Sequence, residues 1–311
     1  MTEAIIEMEE LAKQYGAVTA VDKLTLSVPQ GEIFGLLGPN GSGKTTILSM
    51  ALGLVSPSSG SIRLFGRQMN GKGQALLSRV GAIVESPAFY PYLTGRQNLR
   101  YFAGISPRAQ QEEVEPLLEQ VGLAARGNHK FSTYSLGMKQ RLGIAYALLG
   151  QPELVLLDEP TNGLDPAGMA EVRDLIRSLG QGGRTVVLSS HLLHEVEQVC
   201  ASVAILSKGK LIASGRVQDL LRQQGAVRLR TTDDAAAPGI LSGLDWVQGV
   251  AQEDGYVIVT AAPERSGELT RALAQSQVYV REMSPVQVSL ERYFLEVTGD
   301  DDQGQEGQHG S

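Results

Sequence analysis

Apolar and polar side chains alternate over residues 24–28, the period of a half-buried strand, and residues 5–9 read as another short strand. Residues 32–37 form a short apolar strand that runs straight into a glycine-rich loop, and residues 45–54 follow as a helix. Ser56-Pro57-Ser58-Ser59-Gly60 breaks that helix, and residues 61–65 return as a strand. From about residue 86 to 130 the apolar spacing turns helical, at 98–103 and 110–121. This predicts a mostly helical subdomain over about residues 86–150, which takes in a further helix at 135–149. Residues 154–157 and 185–189 read as buried strands on either side of a helix at 167–179. Apolar strands alternating with helices predict an α/β fold with a largely parallel sheet covered on both faces. Residues 203–206 and 210–214 read as a hairpin across Ser207-Lys208-Gly209.

A second unit is expected at residues 226–298, after a first domain at 1–225. Its pattern is strand 227–231, helix 235–241, strands 246–251 and 256–260, helix 267–275 and strand 278–282. That βαββαβ order predicts a small ferredoxin-like α+β domain, with a last helix at 290–297. Residues 299–311 are acidic and glycine-rich, and disorder is expected there.

Composition narrows the function classes. The 27 basic and 34 acidic residues leave a net charge of -7, which argues against nucleic acid as a main partner. Cys200 is the only cysteine, so neither an intrachain disulfide nor a cysteine zinc site is available, and a reducing cytoplasmic setting is expected. No apolar run approaches the roughly 18 residues that cross a bilayer, so any membrane role must come through a partner.

Two elements carry chemistry. Gly38-Pro39-Asn40-Gly41-Ser42-Gly43-Lys44-Thr45 has the spacing G-x-x-x-x-G-K-T between a strand and a helix. Its glycines let backbone N–H groups converge on phosphate oxygens, and the helix that follows adds its positive end. Lys44 is expected on the β- and γ-phosphates of ATP and Thr45 on Mg²⁺, with Thr46 beside them. The second element is the strand 154–157 with Asp158 and Glu159 at its end. Asp158 is placed to hold Mg²⁺ through water, and Glu159 to polarise the attacking water.

Further segments resemble the ATP-binding cassette (ABC) proteins. Tyr134-Ser135-Leu136-Gly137-Met138-Lys139-Gln140-Arg141 looks like that family's signature, and Pro160-Thr161-Asn162-Gly163-Leu164-Asp165-Pro166 is similar to its D-loop. Ser189-Ser190-His191 matches its switch histidine, and Tyr15-Gly16 stands where an adenine-stacking aromatic is expected. The matches keep the family's order and cover roughly residues 1–225. The resemblance implies a P-loop NTPase cassette with a mixed sheet and a helical subdomain. It also implies two copies paired head to tail around two ATP molecules. Each ATP would lie on one copy's phosphate loop, capped by Ser135 and Gly137 of the other. Asp165 would serve the same composite site. His191 would hold the γ-phosphate and orient the water with Glu159, a catalysis of positioning and electrostatics.

Two departures from the pattern matter. The signature usually has two glycines and then glutamine, where this chain has Leu136-Gly137-Met138. Glu85 stands where the family normally has a glutamine that contacts Mg²⁺. A carboxylate about 5 Å from a phosphate charge is opposed by roughly 3 kcal/mol at an effective dielectric of ~20, and attraction to Mg²⁺ offsets this. Exporter ATPases of the bacitracin-resistance and lantibiotic-immunity kind resemble this chain at Glu85 and at residues 289–295. The resemblance therefore implies an exporter subunit held on the inner face of the membrane by integral permease subunits. An importer subunit with a regulatory C-terminal domain is the second reading, and a cassette acting on ribosomes or DNA the third. Phe89, Tyr90 and Tyr92 are either an aromatic cluster under a loop or a groove for a permease helix.

Overall fold

The computed structural model describes residues 3–69, 74–85, 87–223, 225–253, 255–286, 289–291 and 293–295. The chain divides into two compact units, Met1–Gly215 and Arg216–Ser311.

The first unit opens with the antiparallel pair β1 (Ala4–Tyr15) and β2 (Val18–Pro29). With β4 (Ser59–Leu64) and β5 (Arg67–Gln68) they make a sheet of order β2-β1-β4-β5. β1 runs six residues past the expected end at Glu9. The register shifts between Met8 and Leu11, and Glu10 has a φ of 46°, so a bulge returns Leu11 to the core face. That bulge hides the strand's true length from an alternation pattern.

The second sheet has the order β10-β9-β3-β8-β7-β6. Its strands are β3 (Ile33–Leu37), β6 (Val80–Ile83), β7 (Leu154–Leu157), β8 (Thr185–Ser190), β9 (Ser202–Ser207) and β10 (Lys210–Arg216). The pairs β3–β9, β3–β8, β7–β8 and β6–β7 are parallel. Every residue of β3, β7 and β8 is buried, as strands covered on both faces require. β9 and β10 are joined by Lys208 and Gly209, both at positive φ (49° and 82°), the geometry of a type I′ hairpin. One apolar cluster links the two sheets through α1 (Lys44–Ala51), joining Met8 and Leu26 to Ile47, Leu48, Leu156 and Val187.

β6 has no signature of its own in the sequence. It is short, and α2 (Gln74–Leu77) before it is a single turn. Arg79 ties its start to β7: Nε and Nη2 each reach a Glu153 carboxylate oxygen at 2.5 Å, which holds that carboxyl below its usual range.

The helical stretch contains α3 (Gly95–Ile105), α4 (Val114–Gln120) and α5 (Leu136–Ala147). Thr94 caps α3 in a reciprocal box with Gln97. Asn98, fully buried, bonds the backbone of Tyr90 and Thr94 and so pins the aromatic loop to this helix. α6 (Pro166–Gln181) and α7 (Leu193–Val199) flank β8 in the chain. Cys200 follows α7 in the core, where burial pushes its thiol pKa up and leaves it unreactive.

The second unit begins with α8 (Val217–Gln223) and has a sheet of order β12-β13-β11-β14, antiparallel at every pair. Its elements are β11 (Ala226–Thr231), α9 (Ala237–Leu241), β12 (Gly249–Glu253), β13 (Tyr256–Thr260), α10 (Ser266–Gln275) and β14 (Val280–Val286). The succession strand, helix, strand, strand, helix, strand is the one expected. Val227, Leu229, Val257 and Val259 pack on Leu241, Leu269 and Leu273. The helix expected at 290–297 is helical at 290–291 and 293–295. Its remainder and the tail at 299–311 lie outside the described residues.

Gly81 lets α5 lie on β6, because a Cβ there would meet the Ala147 carbonyl oxygen at 1.7 Å. Backbone cannot step aside as a side-chain tip does. Gly81→Ala should therefore destabilise the protein by about 1–3 kcal/mol or more, read as a lower urea midpoint; an unchanged midpoint would contradict this packing.

Candidate active site

The parallel strands bring their C-terminal ends to one edge of the sheet, and each delivers a polar group there. β3 leads into residues 38–45. Gly38, Gly41 and Gly43 have φ of 153°, 81° and 102°, which L side chains rarely adopt. A Cβ on Gly38 would meet Leu206 O at 2.3 Å, and one on Gly43 would meet Ala20 O at 2.5 Å. Pro39, Asn40 and Gly41 are exposed at the tip, and Thr46 is half-buried on the first turn of α1. Ser42 Oγ is buried without a hydrogen-bond partner among the described residues.

Lys44 is almost fully buried. Its Nζ donates to Gly38 O at 2.7 Å and Pro39 O at 3.1 Å, and lies 3.4 Å from Glu159 Oε1. Thr45 Oγ1 donates to Asp158 Oδ2 at 2.8 Å. His191 Nδ1 lies 2.8 Å from Glu159 Oε2. Lys44, Thr45, Asp158, Glu159 and His191, drawn from three strand ends, thus form one connected cluster. Glu159 is held at φ 46°, a strained value for a side chain of its kind.

Ser189 was not singled out by its sequence. Its Oγ donates to Asp158 Oδ1 at 2.5 Å and accepts from the backbone amide of Glu159 at 2.8 Å, tying the Asp158 carboxylate to the backbone that carries Glu159. Only its place two residues before His191, at the end of a buried strand, signalled it.

The remaining candidates lie around this cluster. Glu85 is exposed, at φ 61°, and lines a cavity of about 270 Å³ together with Asp158, Glu159, Lys139 and Gln140. Tyr15 is 49% exposed, and Lys13 Nζ stands 5.0 Å from its ring centroid. Ser135 and Asp165 are not part of the cluster's bonds. Ser135 caps α5 by accepting from Met138 N at 3.3 Å, and Asp165 caps α6 by accepting from Gly168 N at 3.1 Å. Gly137 lies against Leu164 and Gly168.

A buried lysine, a hydroxyl bonded to a carboxylate and a glutamate–histidine pair beside a glycine loop are the parts of a nucleotide-hydrolysing site. Comparison with known proteins decides the family. The ABC transporter family model matches residues 21–162. The uncharacterised ABC transporter ATP-binding protein YdbJ of Bacillus subtilis is 40% identical over 305 residues, 96% of this chain and 96% of YdbJ. The chain belongs to the ABC transporter ATP-binding proteins. The bacitracin transport ATP-binding protein BcrA of Enterococcus faecalis is 39% identical over 299 residues, 96% of this chain and 97% of BcrA. Among solved structures, cbiO1 of Clostridium perfringens, part of the ABC transporter complex cbiONQ, superposes with a TM-score of 0.64. It is 26% identical, with 70% of this chain and 90% of cbiO1 covered. This chain is therefore an ABC ATPase, and the cluster at the strand ends lies within its cassette. The full-length matches to YdbJ and BcrA extend over the second unit as well.

Proposed function

We propose that this ABC ATPase hydrolyses ATP between two copies of itself and drives a separate permease that exports a drug, an antimicrobial peptide or a lipid-like molecule. The observation that carries the reading is the cluster of Lys44, Thr45, Asp158, Glu159 and His191. In this reading the amides of residues 38–45 and the Lys44 ammonium bind the β- and γ-phosphates, and Tyr15 stacks on adenine. Glu159 takes a proton from the attacking water, and His191 holds the γ-phosphate and orients that water. Ser135 and Gly137 offer the exposed N-terminus of α5 to the partner's γ-phosphate, with Asp165 nearby in the same interface.

The donors fit Mg²⁺. Thr45 Oγ1 and Asp158 Oδ2, 2.8 Å apart, are hard oxygen donors. Mg²⁺ typically takes one or two carboxylates plus substrate phosphates, so no cluster of three acidic or imidazole groups is needed, and none is found among the described residues. Thr45 and Asp158 would hold the ion, with Glu85 reaching it through water, and the ion would neutralise charge on the phosphates.

Export rather than import is supported by Glu85 and residues 289–295, where the chain resembles exporter ATPases, and the likeness to BcrA, a bacitracin transport protein, supports a drug or peptide cargo. A partner in the membrane is supported by an aromatic groove beside the site. A cavity of about 250 Å³ is lined by Ile83, Pro87, Phe89, Phe102 and Tyr146. Tyr92, Tyr101 and Ile105 are exposed large apolar residues of the same helical stretch. No helix among the described residues is long and apolar enough to cross a membrane. The ATPase would thus sit on the cytoplasmic face through its permease.

Three measurements test this. Glu159→Gln should still bind ATP while turnover falls by at least about 100-fold; near-parental turnover would remove Glu159 as the base. Glu85→Gln should shift the Mg²⁺ concentration for half-maximal ATPase activity, and an unchanged curve would make Glu85 a solvated loop carboxylate. Purification from its own membranes should recover the chain with an integral membrane partner. Recovery with ribosomes or DNA instead would overturn the transport reading.

A further inference from the structure

His191 links the end of β8 to α7, so its position depends on the strand before it and on how α7 is seated. α7 has seven residues, and Leu192 gives it no side-chain cap. One anchor is apolar. A Cβ on Gly35 would lie 2.6 Å from Val196 Cγ1 and 3.2 Å from Cys200 Sγ, so this end of the structure seats directly on β3. Two more anchors come from α6: Arg177 Nη2 donates to Gln198 O at 3.4 Å, and an ion pair supplies the second. Arg173 Nη1, on α6, donates to Glu195 Oε1 at 3.1 Å and Oε2 at 3.0 Å.

This ion pair is not an ordinary surface pair. Arg173 is 21% exposed and Glu195 16%. Arg173 Nε is buried without a partner among the described residues. A half-buried pair with a stranded N–H is a poor source of stability, since desolvation offsets much of its attraction. It does fix geometry. The two side chains line a small cavity with Pro160, Thr161 and Ser190. Pro160 directly follows Glu159, and Ser190 directly precedes His191. The pair therefore stands behind the 2.8 Å contact between His191 and Glu159. It also ties α7 to α6, the helix capped by Asp165.

We propose that Arg173 and Glu195 are positioning residues for hydrolysis: their ion pair sets α7, and through α7 the placement of His191 against Glu159 and the γ-phosphate. This rests on the catalytic reading of His191 and Glu159 given above. Neither Arg173 nor Glu195 touches the reacting atoms. Their effect is on alignment, where a misplacement of about 1 Å costs on the order of 100-fold in rate.

The test is a kinetic cycle on the purified full chain with Mg-ATP, using single-turnover hydrolysis for the slow variants. Arg173→Met should lower kcat about 10-fold while KM for ATP stays within about twofold, and Arg173→Lys should recover part of the loss. Because Arg173→Met strands a half-buried carboxylate, the paired variant Arg173→Met/Glu195→Leu separates folding from alignment. It should regain the parent's thermal midpoint and still show the lowered kcat. In a His191→Ala background, Arg173→Met should lower the residual kcat no further, since both changes act through one group. Parent-like kcat in the folded paired variant would overturn the proposal. So would an equal fall in kcat on both backgrounds. Parent-like kcat in His191→Ala alone would mark the failure of the catalytic reading itself, and the strut would fall with it.

Discussion

The register of three parallel strands is the constraint on which the site depends. Leu37 pairs with Ser190, and Leu157 with Leu188. The next groups along the chain are Gly38, Asp158 with Glu159, and His191, so all three begin at neighbouring points on one edge. Two further backbone bonds lock the step off the sheet: Gly38 N to Ser190 O at 3.3 Å, and Asp158 N to Ile83 O at 2.9 Å. A slip of one residue would turn each side chain to the opposite face and scatter the cluster. The continuous apolar runs of β3, β7 and β8 hold the sheet between its covering layers, and specify the edge more than any polar contact does.

On that edge, charge is arranged around one carboxylate. Lys44 and His191 both reach Glu159, on different oxygens, at 3.4 Å and 2.8 Å. Ser189 holds the amide of Glu159 and the side chain of Asp158 together. The backbone strain at Glu159 is retained because these contacts over-determine its position. Donors fixed in advance lose nothing to reorganisation when charge develops on a phosphate, which is where such sites gain their rate. The same requirement explains why α7 needs a brace. A histidine between the end of β8 and a seven-residue helix is placed from both sides, by the strand before it and by the seat of the helix after it.

What the sequence made legible was local in origin. The phosphate loop, the pair Asp158–Glu159 and the serine before α5 each follow from a few neighbouring residues and the element they join. The βαββαβ order of the second unit was legible because its strands and helices keep distinct periods. What stayed hidden depends on distant residues. β6 is a strand only because β7 pairs with it and Gly81 admits α5. Ser189 looks like any buried serine until Asp158 lies beside it. β12 begins at Gly249 rather than at the expected 246. Trp246 packs on the core instead, with the Arg265 guanidinium 4.3 Å from its ring, and Val247 N closes a turn on Leu244 O.

The altered signature can be weighed on the same terms. The family pattern has a small residue where this chain has Leu136, and a glutamine at Met138. The change removes an amide that would bond across the proposed interface between copies. It adds an apolar side chain that is 52% exposed and lies close enough to Gly163 that a Cβ there would meet its Cδ2 at 3.3 Å. Covering such a side chain stabilises an interface by about 25 cal/mol for each Å² withdrawn from water. A buried amide gains only about 0.5–1.5 kcal/mol net for a hydrogen bond it makes, and loses more if it misses one. On the proposed reading Ser135 and Gly137 leave the helix end open to phosphate, because the serine hydroxyl spends only its acceptor side on Met138 N. On the proposed head-to-tail pairing, this chain exchanges polar recognition for apolar contact around an unchanged anion seat.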